Sequence, residues 1–271
     1  MKNLLFWTST ILIFIFWPFL YVLSNRSDSI IFILAALVLL VDRFLYLRKY
    51  QYHYFTYLVL PLLHPAYLFF PIVAILFYWS DIKKMSLVIY AVFLIFISFF
   101  SWQSFYAYSI FTPDPLAFDT LNKKISLVPN RNLARLYHNK TDIFQDKFKA
   151  NIFTSLDPNN YFFALHPREI FENQNLHKFP FLAIILFLIG LYLLIKSTDR
   201  RWIVSTLIAG IFSIAMINNQ DKFDLILYLP ISLICLVGLK KIFTLPPVYY
   251  LFFSFLFLPL SVMELARIIL K

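Results

Sequence analysis

The 271-residue chain is 61% hydrophobic, 20% aromatic and only 14% charged, with a mean hydropathy of +0.75; a water-soluble domain of that length has too little interior for so much apolar surface. Its three glycines, Gly190, Gly210 and Gly238, exclude a Gly-rich phosphate loop, and the lone Cys235, inside an apolar run, excludes disulfides and cysteine metal sites. The net charge of +10 would suit nucleic acid, but in a membrane chain it is the expected result of lysine and arginine held on the cytoplasmic side, and here the charges are spread among short turns rather than gathered on one face.

A membrane helix needs about 20 apolar residues. Runs near that length stand at 4 to 23, 29 to 47, 86 to 104, 180 to 195, 202 to 217, 224 to 239 and 248 to 266. The first follows Lys2 as a signal peptide would, but it contains Trp7, Trp17 and Pro18 and no small-residue cleavage site comes after it, so it reads as a retained span. The stretch from Tyr52 to Trp79 is too long for one span and holds Pro61, His64, Pro65 and Pro71. A helix rarely runs through a His-Pro step, so two short segments meeting at His64-Pro65 are expected.

That division decides the topology. With one helix there, about eight segments result and the short-loop charges show no bias; with two, about nine result and the charges sort. One side then holds Lys2, Arg43, Arg48, Lys49, Lys83, Lys84, Lys196, Arg200, Arg201, Lys240 and Lys241, the other only Arg26, Lys222, Arg267 and Lys271. The reading is an all-α, polytopic transmembrane helical bundle in the plasma membrane with a cytoplasmic N-terminus. Its parts are N-terminal membrane segments over 1–104, an extracytoplasmic loop over 105–179 and C-terminal membrane segments over 180–271.

The outer loop carries nine of the 24 lysines and arginines and seven of the 14 acids. Phe144, Phe148, Ile152 and Leu156 recur every four residues, which predicts an amphipathic helix, either lying along the interface or packed on the bundle. Arg131, Arg135, His138 and Lys140 are candidates for an anionic headgroup, with snorkelling beside acidic lipids as the alternative. Asp157-Pro158-Asn159-Asn160 is a turn whose Asp is placed to cap the residues after it. His166-Pro167-Arg168-Glu169 sets a base, a cation and an acid side by side, enough for acid-base work or for an ion pair that holds the loop. His166 and Glu169 supply at most two metal ligands with no third at a readable spacing, so no metal is assigned.

Ionisable residues inside the spans are few. Asp42 and Arg43 suggest an internal ion pair or snorkelling, and Glu264 with Arg267 has helical i, i+3 spacing. Nothing resembles a carboxylate chain crossing the bilayer, and the two halves do not repeat one another, which weakens a transporter reading.

From about Leu58 onward the order of segments resembles the C-terminal half of the membrane glycosyltransferases of the GT-C class, in particular bacterial relatives of dolichyl-phosphate-mannose protein mannosyltransferases. The resemblance rests on His64-Pro65-Ala66-Tyr67, on Asn132 to Lys140 ahead of an amphipathic helix, on Asp157 to Phe163, on His166-Pro167-Arg168, and on Phe179-Pro180-Phe181-Leu182 opening a span. It implies a polyprenyl-phosphate sugar as donor, work on the outer face, and Arg131, Arg135, His138, Lys140, His166, Arg168 and Glu169 as contacts to substrate or carrier-lipid phosphate. The family's catalytic carboxylates sit in a long first outer loop, which here is only Ser24 to Ser29, with Asp28 as its sole acid. Asp28 is therefore the expected base if the chain is active. The alternatives are a noncatalytic relative that binds carrier lipid or scaffolds a catalytic partner subunit, and a small-molecule transporter. Membrane lipids are expected partners and nucleic acid is not.

Overall fold

The computed structural model describes residues 1–15, 29–127, 129, 139–163, 178–197, 199–218 and 225–269. Among them the protein is all-helical, with one isolated antiparallel bridge, Ser109 to Ile217, in place of any strand. The helices are α1 Lys2–Phe14, α2 Ser29–Leu47, the short α3 Leu60–Leu63, α4 Phe69–Tyr78, α5 Lys84–Tyr108, α6 Pro115–Ser126, α7 Lys140–Leu156, α8 Ala183–Leu194, α9 Arg200–Ala215, α10 Leu225–Ile242 and α11 Pro247–Ile269. Among the described residues, three stretches are long and apolar enough to cross a membrane: Ile30–Leu47, Lys84–Tyr108 and Pro247–Ala266. On α5, Val92, Ile95, Phe96, Phe99 and Phe100 all face outward, as hydrocarbon solvent permits and water does not.

The expected break at His64-Pro65 is present. A 3-10 helix, His53–Val59, leads into α3, His64 is extended (φ −156°, ψ 134°), and a second 3-10 turn, Pro65–Leu68, leads into α4. The proline ring disfavours the helical conformation for the residue before it, and here His64 is extended while its Nδ1 takes up the amide freed by the break, accepting from Ala66 N at 3.1 Å.

Close backbone approach strengthens the van der Waals attraction between helices. Among the described residues, α8 and α10 approach closely. A Cβ on Gly190 would stand 1.9 Å from the Ile234 carbonyl oxygen, and one on Gly238 would stand 2.0 Å from that of Leu186. At neither position is there room for a methyl group. Helix α9 occupies the centre, packed on α4, α7 and α10, with Trp202 fully buried.

Contacts sort the helix ends into two sets. In one, Arg43 meets Asp199, Arg201 meets Asp81, the Lys2 ammonium lies 5.7 Å from the Tyr250 ring, and Phe6 packs on Phe243. In the other, His64 packs on Tyr108, Ile110 N donates to Met216 O (3.0 Å), Phe179 N donates to Tyr161 O (2.8 Å), and Phe181 N donates to the Glu264 carboxylate (3.3 Å). Asp42 and Arg43 do not pair with each other, contrary to the simplest expectation. They are successive residues on a helix and point to different neighbours, Asp42 inward and Arg43 to Asp199. The side chain of Arg267, expected beside Glu264, lies outside the described residues.

Candidate functional site

Two clusters of polar side chains stand out, one at each set of helix ends. Asp42, fully buried on α2, accepts from Thr56 Oγ1 (2.6 Å) and Trp202 Nε1 (2.6 Å), and the His53 Nδ1 lies 3.2 Å from the same carboxylate. Around it the His53 ring packs edge-on against Tyr78 (4.6 Å) and Tyr46 (5.2 Å), Tyr57 bonds Thr206 and Tyr78 bonds Ser205. Arg201 lies over the Tyr78 ring at 5.0 Å while also holding Asp81. Protein donors surround the Asp42 carboxylate, so this cluster fastens the 3-10 segment to α2 and α9.

The second cluster opens onto a cavity. The chain leaves α5 through Ser109 and Ile110, which bond the end of α9, and Pro113-Asp114-Pro115 then turns it into α6. Asp114 is the N-cap: its Oδ1 accepts from Leu116 N (3.1 Å) and Ala117 N (3.3 Å), with Pro115 at the first helical position, where no amide is needed. Its Oδ2 accepts from Lys147 Nζ on α7 at 2.8 Å, and the same ammonium reaches Asn218 Oδ1 at 3.3 Å. Lys147 and the two α6 amides hold the Asp114 carboxyl below the usual carboxylate range.

Helix α7 has its own start signal, a capping box between Asn139 and Asp142. It packs on the bundle rather than lying free: Phe144 meets Phe111 and Phe148 meets Phe212, while Asn151 and Ser155 are buried. Leu156, assigned by spacing to the inner stripe, is exposed along with Phe153. Asn151 Nδ2 donates to Ala215 O (3.0 Å) and Ile217 O (2.8 Å), closing the C-terminus of α9. Asn218 Nδ2 donates to Ser109 O at 2.7 Å.

Asp114, Lys147, Asn151 and Asn218, with Ile110 and Pro113, line a cavity of about 420 Å³. One turn along α7, Ser155 begins a second, narrow space of about 140 Å³ walled by Tyr161, Phe162, Phe187, Ile211 and Leu227. That crevice is apolar; Ser155 Oγ is turned away to Asn151 O, and the Tyr161 hydroxyl donates to Ser155 O. Asp157 caps the turn between them as expected, accepting from Asn159 N at 2.9 Å.

Of the residues singled out in the sequence, Asp28, Arg131, Arg135, His138, His166, Arg168 and Glu169 lie outside the described residues, as does the Lys140 side chain; the Lys140 backbone opens α7. Asp114, Lys147 and Asn218 were not singled out. The Asp114-Pro115 pair is a readable helix start, but nothing local ties it to Lys147, 33 residues on. Among the described residues no group of three or more His, Cys, Asp or Glu side chains is placed to hold a metal ion. No family model, curated protein or solved structure matches the chain.

Proposed function

We propose that the chain is a multi-span membrane protein that binds the phosphate-bearing head of a polyprenyl-phosphate carrier lipid, in the manner of the glycosyltransferases it resembles, and that it acts in cell-envelope glycan assembly. About nine membrane segments, a cytoplasmic N-terminus and an outward-facing 105–179 region belong to the same reading. The two sets of helix ends support it, because the lysine-rich and arginine-rich turns at 48–49, 83–84, 196–201 and 240–241 adjoin one set, and the Asp114 cavity belongs to the other.

The observation that carries the reading is the succession along α7 of a polar cavity, with Lys147 in it, and an apolar crevice one turn later. A ligand that satisfies both has a charged or hydroxylated head and a hydrocarbon tail. Lys147 offers an ammonium suited to a phosphate oxygen, the polar cavity has volume for a sugar, and the smaller crevice is lined by apolar side chains suited to a hydrocarbon chain.

A noncatalytic form of this reading is favoured by one specific observation. Asp114 is the only carboxylate among the described residues lining the cavity, and it is engaged in a cap and an ion pair that keep it a weak base. A general base works best with a pKa near the working pH. The test is equilibrium binding and turnover of polyprenyl-phosphate sugars by the purified protein in nanodiscs. Saturable binding with no released carrier phosphate supports a carrier-binding protein; turnover supports a transferase; no binding of any polyprenyl phosphate removes the reading.

A further inference from the structure

Among the described residues lining the cavity, every side-chain donor but one is committed to the backbone. Asn151 Nδ2 is divided between the Ala215 and Ile217 carbonyls, and Asn218 Nδ2 is given to Ser109 O. Lys147 is different. Its two partners are side-chain oxygens, Asp114 Oδ2 and Asn218 Oδ1, and an ammonium has three protons to donate. Asp114 is divided in the complementary way, since Oδ1 serves the α6 amides while Oδ2 serves only Lys147. The Lys147–Asp114 contact is thus the exchangeable one. Breaking it costs neither helix its terminus.

We propose that Asp114 is a built-in competitor for the ligand: its Oδ2 fills the place at Lys147 that a phosphate-monoester oxygen takes on binding, after which Asp114 keeps only its role as the α6 cap. This rests on the reading of the cavity as a phosphate-lipid site and adds how that site sets its affinity. A phosphate monoester carries between one and two negative charges at neutral pH and presents three oxygens, so it displaces a single carboxylate oxygen whose side chain is about one-third exposed. The competition makes the site selective. A neutral lipid head gains nothing at Lys147, and a weakly charged one gains little over Asp114 itself. It also shields the lysine from the monovalent anions of the medium.

A competing carboxylate and one that touches substrate respond to mutation in opposite directions. Asp114→Asn keeps the α6 cap, for which Asn serves as well as Asp, and removes the competing charge. In nanodiscs the full-length Asp114→Asn protein should bind farnesyl phosphate about two- to fivefold more tightly than the wild type, the range expected for release of a partly exposed ion pair. Asp114→Ser, another capping residue, should tighten binding likewise and guards against a peculiarity of one variant. Lys147→Gln should weaken it by about tenfold or more, and Lys147→Arg should restore most of the loss.

If Asp114→Asn binds more weakly or unchanged while Lys147→Gln still loses affinity, the competitor role is overturned and the phosphate-lipid site stands. If Lys147→Gln binds as the wild type does, or nothing binds, both fall. Inorganic phosphate, titrated in parallel, should give the same order of variants at far lower affinity; equal affinity for the two probes would assign the site to free phosphate and overturn the lipid part.

Discussion

Two aspartates of this chain each accept three hydrogen bonds from protein donors, and they serve opposite ends. Asp42 is fully buried and takes Thr56, Trp202 and His53 from two other parts of the fold. Asp114 has a side chain 36% exposed, takes two amides from its own helix and shares the third contact with a lysine that has another partner in reach. Burial makes the first set of bonds a fixed joint, because no water can replace a lost partner. Exposure makes the third bond of the second set exchangeable. A carboxylate's role is thus decided less by how many donors it has than by whether anything else can take its place.

The largest effect is expected at Asp42. Asp42→Ala strands the indole, hydroxyl and imidazole donors in a dry interior and should cost about 3–5 kcal/mol of stability, read from chemical or thermal unfolding in detergent; Asp42→Asn should cost less, because it still offers one acceptor oxygen. A loss comparable to that of an exposed site would mean the cluster is not a joint at all. Next in size is the α8–α10 crossing, where Gly190→Ala drives a methyl into the Ile234 carbonyl and should cost about 1–3 kcal/mol in the same assay. Asp157→Ala, which removes a cap on an exposed turn, should cost about 1 kcal/mol.

The smallest effect sharpens the contrast through pH. The Asp114 carboxyl is depressed in the folded protein, so the stabilisation from its contacts is complete above the ordinary aspartate value and is lost as pH falls through the lower folded one. The difference in melting temperature between wild type and Asp114→Asn should therefore hold steady above about pH 5 and shrink below about pH 4. A difference that instead changed between neutral pH and about pH 6 would point to a histidine rather than to Asp114.

What was legible in the sequence is what local chemistry dictates. Where they are described, the apolar runs are helical, the His64-Pro65 step breaks the chain at a residue the proline disfavours in a helix, and Asp157 caps its turn. The amphipathic helix was readable as an element but its inner face was not: a four-residue spacing drifts around a helix of 3.6 residues per turn, so Leu156 ends exposed while Asn151 and Ser155 face the bundle. The two aspartate clusters were illegible for a plainer reason. Asp42 finds Trp202 across 160 residues and Lys147 finds Asn218 across 71, distances that no local pattern encodes. Two of the three glycines, Gly190 and Gly238, which are too few for a phosphate loop, mark the close crossing of α8 and α10.

In the proposed function, the cavity beside Lys147 and the neighbouring crevice under Tyr161 and Phe162 receive a phosphate-bearing polyprenyl lipid. Equilibrium binding of a polyprenyl phosphate to wild type, Lys147→Gln and the crevice variant Leu227→Trp in nanodiscs tests it most directly. The wild type should bind saturably and each folded variant should lose about tenfold or more. Undiminished binding in both would place the lipid elsewhere on the protein and contradict it.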